Sequence, residues 1–297
     1  MRRSKQQEQA LAEFNAIAGK WQDQSTATGE YSLIRDRNRV VSNILRQESK
    51  MCSFLDVGCG TGQLVEEASK LGRDATGIDF SESMIRICED NKRISGAKAR
   101  YISASFFEYN FHKSSFDLIS ALGFIEYIST KALDELFKRV GALLNSEGTF
   151  AIGSRNRIFN VFSRNAYTLL EEKLNNFDNL QDQATALENS TTQQQAMDTL
   201  ETFEQLEKQP DRHPATNIDV DVRFQYSPAD LCRRLRNYGF LPVSIHPVHY
   251  HAFPVSIKTD FPEAHEAVAE LVEEIGGDDQ RMVPRSSTFV IVAKTRT

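Results

Sequence analysis

The chain has 297 residues, 40% of them apolar and 26% charged, and 35 Lys and Arg against 41 Asp and Glu leave a net charge of −6. That composition excludes wholesale disorder, and the acidic balance makes the chain a poor general ligand for nucleic-acid backbones or anionic membranes. The longest purely apolar run, 289–293, is too short to span a bilayer, and the basic start runs into Gln6-Gln7-Glu8-Gln9 rather than a signal-peptide core, so a soluble cytoplasmic protein is expected.

Taken in order, residues 7–20 carry Leu11, Phe14, Ile17 and Ala18 at helical spacing, and 31–46 form a second amphipathic helix. Between them 19–29 reads as a loop that holds Trp21. From residue 53 short strands alternate with helices: strand 53–58, helix 62–71, strand 74–80, helix 81–92, strand 100–103, strand 116–122, helix 131–144 and strand 148–153. Such alternation predicts a parallel sheet with helices on both faces. Residues 155–226, rich in Asn, Gln, Glu and Thr, are too long for a structureless loop and read as a helical insertion with a solvated Gln193-Gln194-Gln195 region. The α/β rhythm resumes with a helix from Ser227-Pro228, a strand at 240–250, a helix at 262–275 and a strand at 287–294. The expected organisation is N-terminal helices at 1–50, an α/β core from 51–154 and 227–297, and a cap at 155–226. Four scattered cysteines, without a CxxC pair, fit neither a disulfide framework nor a zinc ribbon.

The informative segment is Asp56-Val-Gly58-Cys59-Gly60-Thr-Gly62, three alternate glycines between a strand and a helix. Glycines let a ligand approach the backbone closely, and the helix start offers free N–H groups. A dinucleotide fold requires GxGxxG, but Gln63 stands where the third glycine belongs. The segment instead resembles motif I of the class I S-adenosylmethionine-dependent methyltransferases. Gly77-Ile78-Asp79 is similar to that family's acidic strand end, 116–119 to its fourth strand, 121–127 to the segment after it, and 143–149 to its helix-to-strand turn. The resemblance is close over 50–154 and loose over 227–297. It implies a Rossmann-like, seven-stranded, mostly parallel sheet with helices on both faces, its last strand antiparallel, and a helical cap. It also implies S-adenosylmethionine as cofactor, bound by Asp56, Gly58, Cys59, Gly60, Gly62, Asp79, Phe80, Ser105, Phe106 and Leu122. Asp79 takes the ribose hydroxyls, and Asp56 either orders the glycine loop or reaches the methionine amine through water. Ser105 stands where the family usually places an acidic residue for the adenine amine.

Methyl transfer needs an acceptor placed at the strand ends. Glu126 and Tyr127 follow the fourth strand, where Glu126 reads either as base or orienter, or as a helix cap. Ser154-Arg155-Asn156-Arg157 resembles the Asn-Arg segment of ubiquinone-type O-methyltransferases, and its arginines read as ligands of an acidic acceptor or as salt-bridge partners of the insertion. Tyr31, at the start of the second helix, and Trp21 before it are placed over the cofactor by the resemblance, and Arg35, Arg37 and Arg39 share the double reading, as acceptor ligands or salt-bridge partners. His249 and His251 share a strand face, as a general base or acceptor contacts, or as ordinary strand histidines; no third ligand is evident nearby, so no metal site is expected. The expected reaction is methyl transfer to oxygen or nitrogen of a small molecule, by a monomer or homodimer that binds no nucleic acid. Methylation of protein or RNA, and a non-catalytic cofactor-binding scaffold, remain the alternatives.

Overall fold

The structure is a computed structural model that describes residues 4–26, 33–113, 115–206 and 220–296. Two helices, α1 (Lys5–Thr26) and α2 (Leu33–Gln47), precede the alternating segment. There β1 (Ser53–Val57), α3 (Gln63–Lys70), β2 (Asp74–Asp79), α4 (Glu82–Ser95), β3 (Arg100–Ser103), β4 (Phe116–Ala121), α5 (Thr130–Leu143) and β5 (Leu144–Arg155) follow in turn. The stretch after β5 holds α6 (Phe159–Ser163), α7 (Ala166–Lys173), α8 (Phe177–Glu188) and α9 (Gln193–Leu200). The chain closes with α10 (Pro228–Asn237), β6 (Phe240–Tyr250), α11 (Val255–Asp260), α12 (Pro262–Gly276) and β7 (Ser286–Thr295).

The seven strands form one sheet in the order β3-β2-β1-β4-β5-β7-β6. The first five are parallel, and β7 runs antiparallel to both β5 and β6, as expected for the last strand. Side chains alternate across the strands with period two. Leu55, Ile119, Phe150 and Ile291 join the core under α5, α8, α9 and α10, whereas Phe54, Leu118, Ala151 and Val290 join the one under α2, α3 and α4. Because β4 lies on the opposite side of β1 from β2, a crevice opens at the carboxyl ends of β1 and β4.

Local chemistry explains the element ends. Ser81, Ser129 and Ser227 each accept a backbone N–H from the third residue beyond at 3.2 Å, capping α4, α5 and α10. The expected strand at 148–153 is longer because Leu144 already pairs with Phe116. The chain then loops out, with Glu147 at φ 61°, and re-enters the ladder at Thr149. Trp21 corrects the expected loop: it lies within α1, where its ring meets Phe14 edge-on at 5.8 Å, so Gly19 does not end the helix. The glutamine region is only partly solvated. Gln193 is half-buried, and its side chain both donates to the Ile245 carbonyl (3.0 Å) and accepts the Ile245 N–H (2.9 Å).

Asp117 ties the amino-terminal ends of the central strands together. It accepts the N–H groups of Cys52 and Ser53, the Ser53 hydroxyl and the Asn145 amide at 2.7–3.0 Å. Asp117→Ala leaves these donors without their acceptor and is expected to lower stability by about 1–3 kcal/mol, read from the urea midpoint. An unchanged midpoint contradicts this structural role.

Candidate active site

The turn after β1 is built from left-handed glycines. Gly58 has φ 73°, and a Cβ there would stand 2.8 Å from the Phe124 ring. The N–H groups of Gly58 and Cys59 both donate to the Ile78 carbonyl (2.8 and 3.2 Å), which pins the turn to the end of β2. Beside it lies a partly enclosed cleft bordered by α1, α2 and the ends of β1, β2 and β4. Asp56, Gly58, Cys59, Gly60, Asp79, Phe80, Ser105, Phe106 and Leu122 all line it. Gly62 differs: a Cβ there would meet Cys88 and Tyr101 at 2.9 Å, so this glycine serves close packing of α3 rather than the cleft wall.

Two buried carboxylates face the turn. Asp79 accepts the Gly60 N–H at 3.1 Å with one oxygen and the Ser81 N–H at 2.9 Å with the other. A carboxylate has about four acceptor positions, so these backbone donors leave room for a hydroxyl donor. Asp56 accepts the Ser120 hydroxyl at 2.6 Å. Burial pushes both carboxyls up to about 6, against the pull of Ser81 and Gly60 on Asp79 and of Ser120 and Arg37 on Asp56. At the start of α3 the Gln63 amide donates to the Thr61 hydroxyl (2.6 Å) and to Gln22 of α1 (3.3 Å).

An apolar slot of Ala104, Phe106 and Phe107 lines the cleft beside β3, with Ser105 among them. Phe106 is also core: the Arg139 guanidinium lies 5.4 Å from its ring centre. Across the cleft α1 contributes Gln7 and Phe14, which no motif marks, and Trp21, which the resemblance places there; Phe14 meets Tyr127 edge-on at 5.1 Å.

Beyond β4 lies a charged cluster, of which Arg37 and Tyr127 line the cleft whereas Glu126, Arg155 and Arg223 stand behind them. Glu126, in a 3-10 turn at Ile125–Tyr127, is buried and accepts Nε of Arg223 at 2.7 Å. The Arg223 guanidinium also lies 5.6 Å from the centre of the Tyr127 ring, and burial pushes the Tyr127 hydroxyl up to about 12. Arg37 of α2 lies against Gly123, where any side chain would collide with it. Arg155 follows β5 and, among the described residues, meets no carboxylate within ion-pair distance. Burial lowers the pKa of Arg37 and of Arg155, and the neighbouring Arg223 lowers both further. Three guanidiniums thus face two carboxylates, Glu126 and Asp56.

Several expected acceptor contacts lie elsewhere. Asn156 is buried and donates its amide to the Val283 and Ser286 carbonyls, so it braces the chain before β7. Arg157 pairs with the buried Glu171 of α7 at 2.5 Å, the salt-bridge alternative. Arg35 is exposed on α2, and Arg37, two positions on, is the one that lines the cleft. Tyr31 lies outside the described residues. His249 and His251 do adjoin, with ring centres 4.5 Å apart, but neither lines the cleft; they group with His265 of α12. Arg223 and His265 carry no sequence signal, because each meets its partners only through the fold.

Residues 54–148 match a family model described as a methyltransferase domain. Two curated relatives, both named ubiquinone biosynthesis O-methyltransferase, are similar to part of the chain. One, from Saccharophagus degradans, is 28% identical over 125 residues, covering 41% of this chain and 52% of its own. The other, from Nitrosococcus oceani, is 29% identical over 150 residues, covering 50% and 61%. The chain thus spans about half the length of the curated relatives it matches. Among solved structures, the Burkholderia thailandensis 1,6-didemethyltoxoflavin-N1-methyltransferase, with its substrate and S-adenosylhomocysteine bound, superposes with TM-score 0.57 at 14% identity. That alignment covers 100% of this chain and 93% of the other. Residues 54–148 are thus similar to a methyltransferase domain, and the fold is shared with solved methyltransferase structures.

The raised carboxyls give the cleft a pH signature. Hydroxyl donors favour ionised Asp79, so cofactor affinity should rise with pH through about 6 and level off above it. The cofactor-free chain should respond oppositely, because a raised carboxyl binds more protons folded than unfolded and loses stability as pH climbs from about 4 to 6. Calorimetric titration at pH 5 and 7.5 should show affinity weaker by up to about tenfold at the lower pH. Equal affinities contradict the burial of an ionisable ligand-binding carboxyl.

Proposed function

We propose that the chain transfers the methyl group of S-adenosylmethionine to an oxygen or nitrogen of a small anionic molecule. The observation that carries this reading is the Asp79 carboxylate, held by the glycine turn with acceptor capacity left over beside an apolar slot. The cofactor, when bound, supplies a methyl group on a sulfonium centre that an acceptor displaces in line. Asp79 would hold the ribose hydroxyls, a charge-assisted contact to two donors. Asp56, Gly58, Cys59 and Gly60 would border the methionine portion, with Ser105, Phe106, Phe80 and Leu122 around the adenosyl group.

On the acceptor side the chain positions charge. Arg37 lines the cleft and Arg155 lies behind its wall within electrostatic reach of Glu126 and Tyr127, a positive charge that favours a carboxylate or phosphate group on the acceptor. Glu126, held by Arg223, keeps this cluster from repelling itself apart and orients the guanidinium. The acceptor atom must reach the methyl group as a neutral amine or a deprotonated oxygen. Bringing it there supplies much of the acceleration, since displacement at a held methyl group gains from proximity and alignment. We assign α1 and α2 to closing the cleft and the 155–226 stretch to choosing the acceptor. The apolar cover from Phe14 and Trp21 suits a small acceptor over an extended polymer.

Asp79→Ala is expected to raise the S-adenosylmethionine dissociation constant at least about tenfold, about 1.4 kcal/mol. Unchanged binding by a folded variant contradicts the ribose assignment. A screen of carboxylate- and phosphate-bearing metabolites should return an acceptor whose mass rises by one methylene. Arg155→Met should then raise its KM about tenfold or more while cofactor affinity stays within about twofold. Equal KM in the variant contradicts the anionic acceptor.

A further inference from the structure

Away from the cofactor cleft, three imidazoles converge between β6 and α12. One ligand atom from each of His249, His251 and His265 lies within 4.8 Å of the other two. Nε2 of His251 is 3.3 Å from Nδ1 of His249, and the His251 and His265 ring centres are 5.0 Å apart. His265 is fully buried, and neither of its ring nitrogens has a partner; Nδ1 of His251 has none either. Buried polar groups are normally paired, so an imidazole with both ring nitrogens orphaned beside two other imidazoles calls for a ligand. The backbone of His249 is also left-handed at φ 58°, which turns its ring out of the regular strand alternation.

We infer that His249, His251 and His265 form a binding site for one divalent transition-metal ion of the zinc type. Two ligands about 2.0–2.1 Å from a tetrahedral ion lie roughly 3.3–3.4 Å apart, and the closest pair of nitrogens already has that spacing. Metal ligation needs neutral imidazoles, and burial lowers the pKa of all three rings, that of His251 to about 3. Three imidazoles leave a fourth position for water or a ligand atom.

The surroundings are mixed in charge. The Asp36 carboxylate accepts the backbone N–H of His249, while Lys258 and Arg155 place positive charge near the rings. Nζ of Lys258 is 3.2 Å from Nε2 of His249, and the Ser287 hydroxyl is 2.8 Å from Nδ1. Ligation through Nδ1 fixes the ring proton on Nε2, against the Lys258 ammonium. Lys258 must then lose its proton or turn toward Glu266, so it opposes the ion and its removal should help. The His265 contact explains why β6 alone gave no metal pattern: the third ligand comes from a helix beyond the strand.

The test is titration of chelator-treated protein with Co²⁺ and then Zn²⁺, in wild type and in Cys52→Ser, which removes the exposed thiol as a rival ligand. The expected result is one equivalent of Co²⁺ per chain with visible bands of low-symmetry nitrogen coordination, displaced by Zn²⁺ and unaffected by Cys52→Ser. His265→Ala should weaken binding at least about tenfold, with folding checked by circular dichroism. Lys258→Gln, which leaves all three imidazoles in place, should tighten Zn²⁺ binding at least about threefold. Absence of a saturable equivalent, undiminished binding by a folded His265→Ala chain, or equal or weaker binding by Lys258→Gln overturns the site.

Discussion

The hydrogen bond from the Gly60 N–H to the Asp79 carboxylate joins the turn after β1 to the end of β2, and the cleft depends on it. Without that acceptor only the Ile78 carbonyl, which takes the Gly58 and Cys59 N–H groups, would hold the turn to β2. Without glycine at position 58 the turn would drive into Phe124. Burying this carboxylate raises its pKa, so the contact exists at the expense of desolvation. Such expense is expected where binding geometry, rather than stability, sets the residue type.

Charge then divides the site in two. Asp56 and Asp79 make the turn side acidic, which suits a cationic sulfonium and a ribose, whereas a diphosphate would meet two carboxylates. Arg37, Arg155 and Arg223 make the far side basic, with Glu126 between them. A bound cation and a bound anion placed on these two sides would each offset the charge of the protein facing it. The chain can therefore be acidic overall and still present a locally basic acceptor wall.

What the sequence disclosed followed the range of the interactions involved. The strands were legible because period-two alternation and glycine turns are local, and so were Ser81 and Ser227 as helix starts. Asp79 was legible through its distance from the glycines. Trp21 was not, since a glycine and a polar run hid a helix that packing on Phe14 sustains. Asn156 carried a motif resemblance yet satisfies carbonyls at Val283 and Ser286, and Arg35 is one helical step away from the face that Arg37 occupies. The Glu126–Arg223 pair and the third histidine depend on contacts between segments far apart in the chain, which no local pattern encodes.

Calorimetric titration of the cofactor-free protein with S-adenosylhomocysteine and, separately, with NAD⁺ tests the reading of the turn most directly. One saturable site for the adenosyl thioether, with no heat from the dinucleotide, is the predicted result. Binding of NAD⁺ in the cleft, or no binding of either, would contradict the assignment of the β1 turn and of everything built on it.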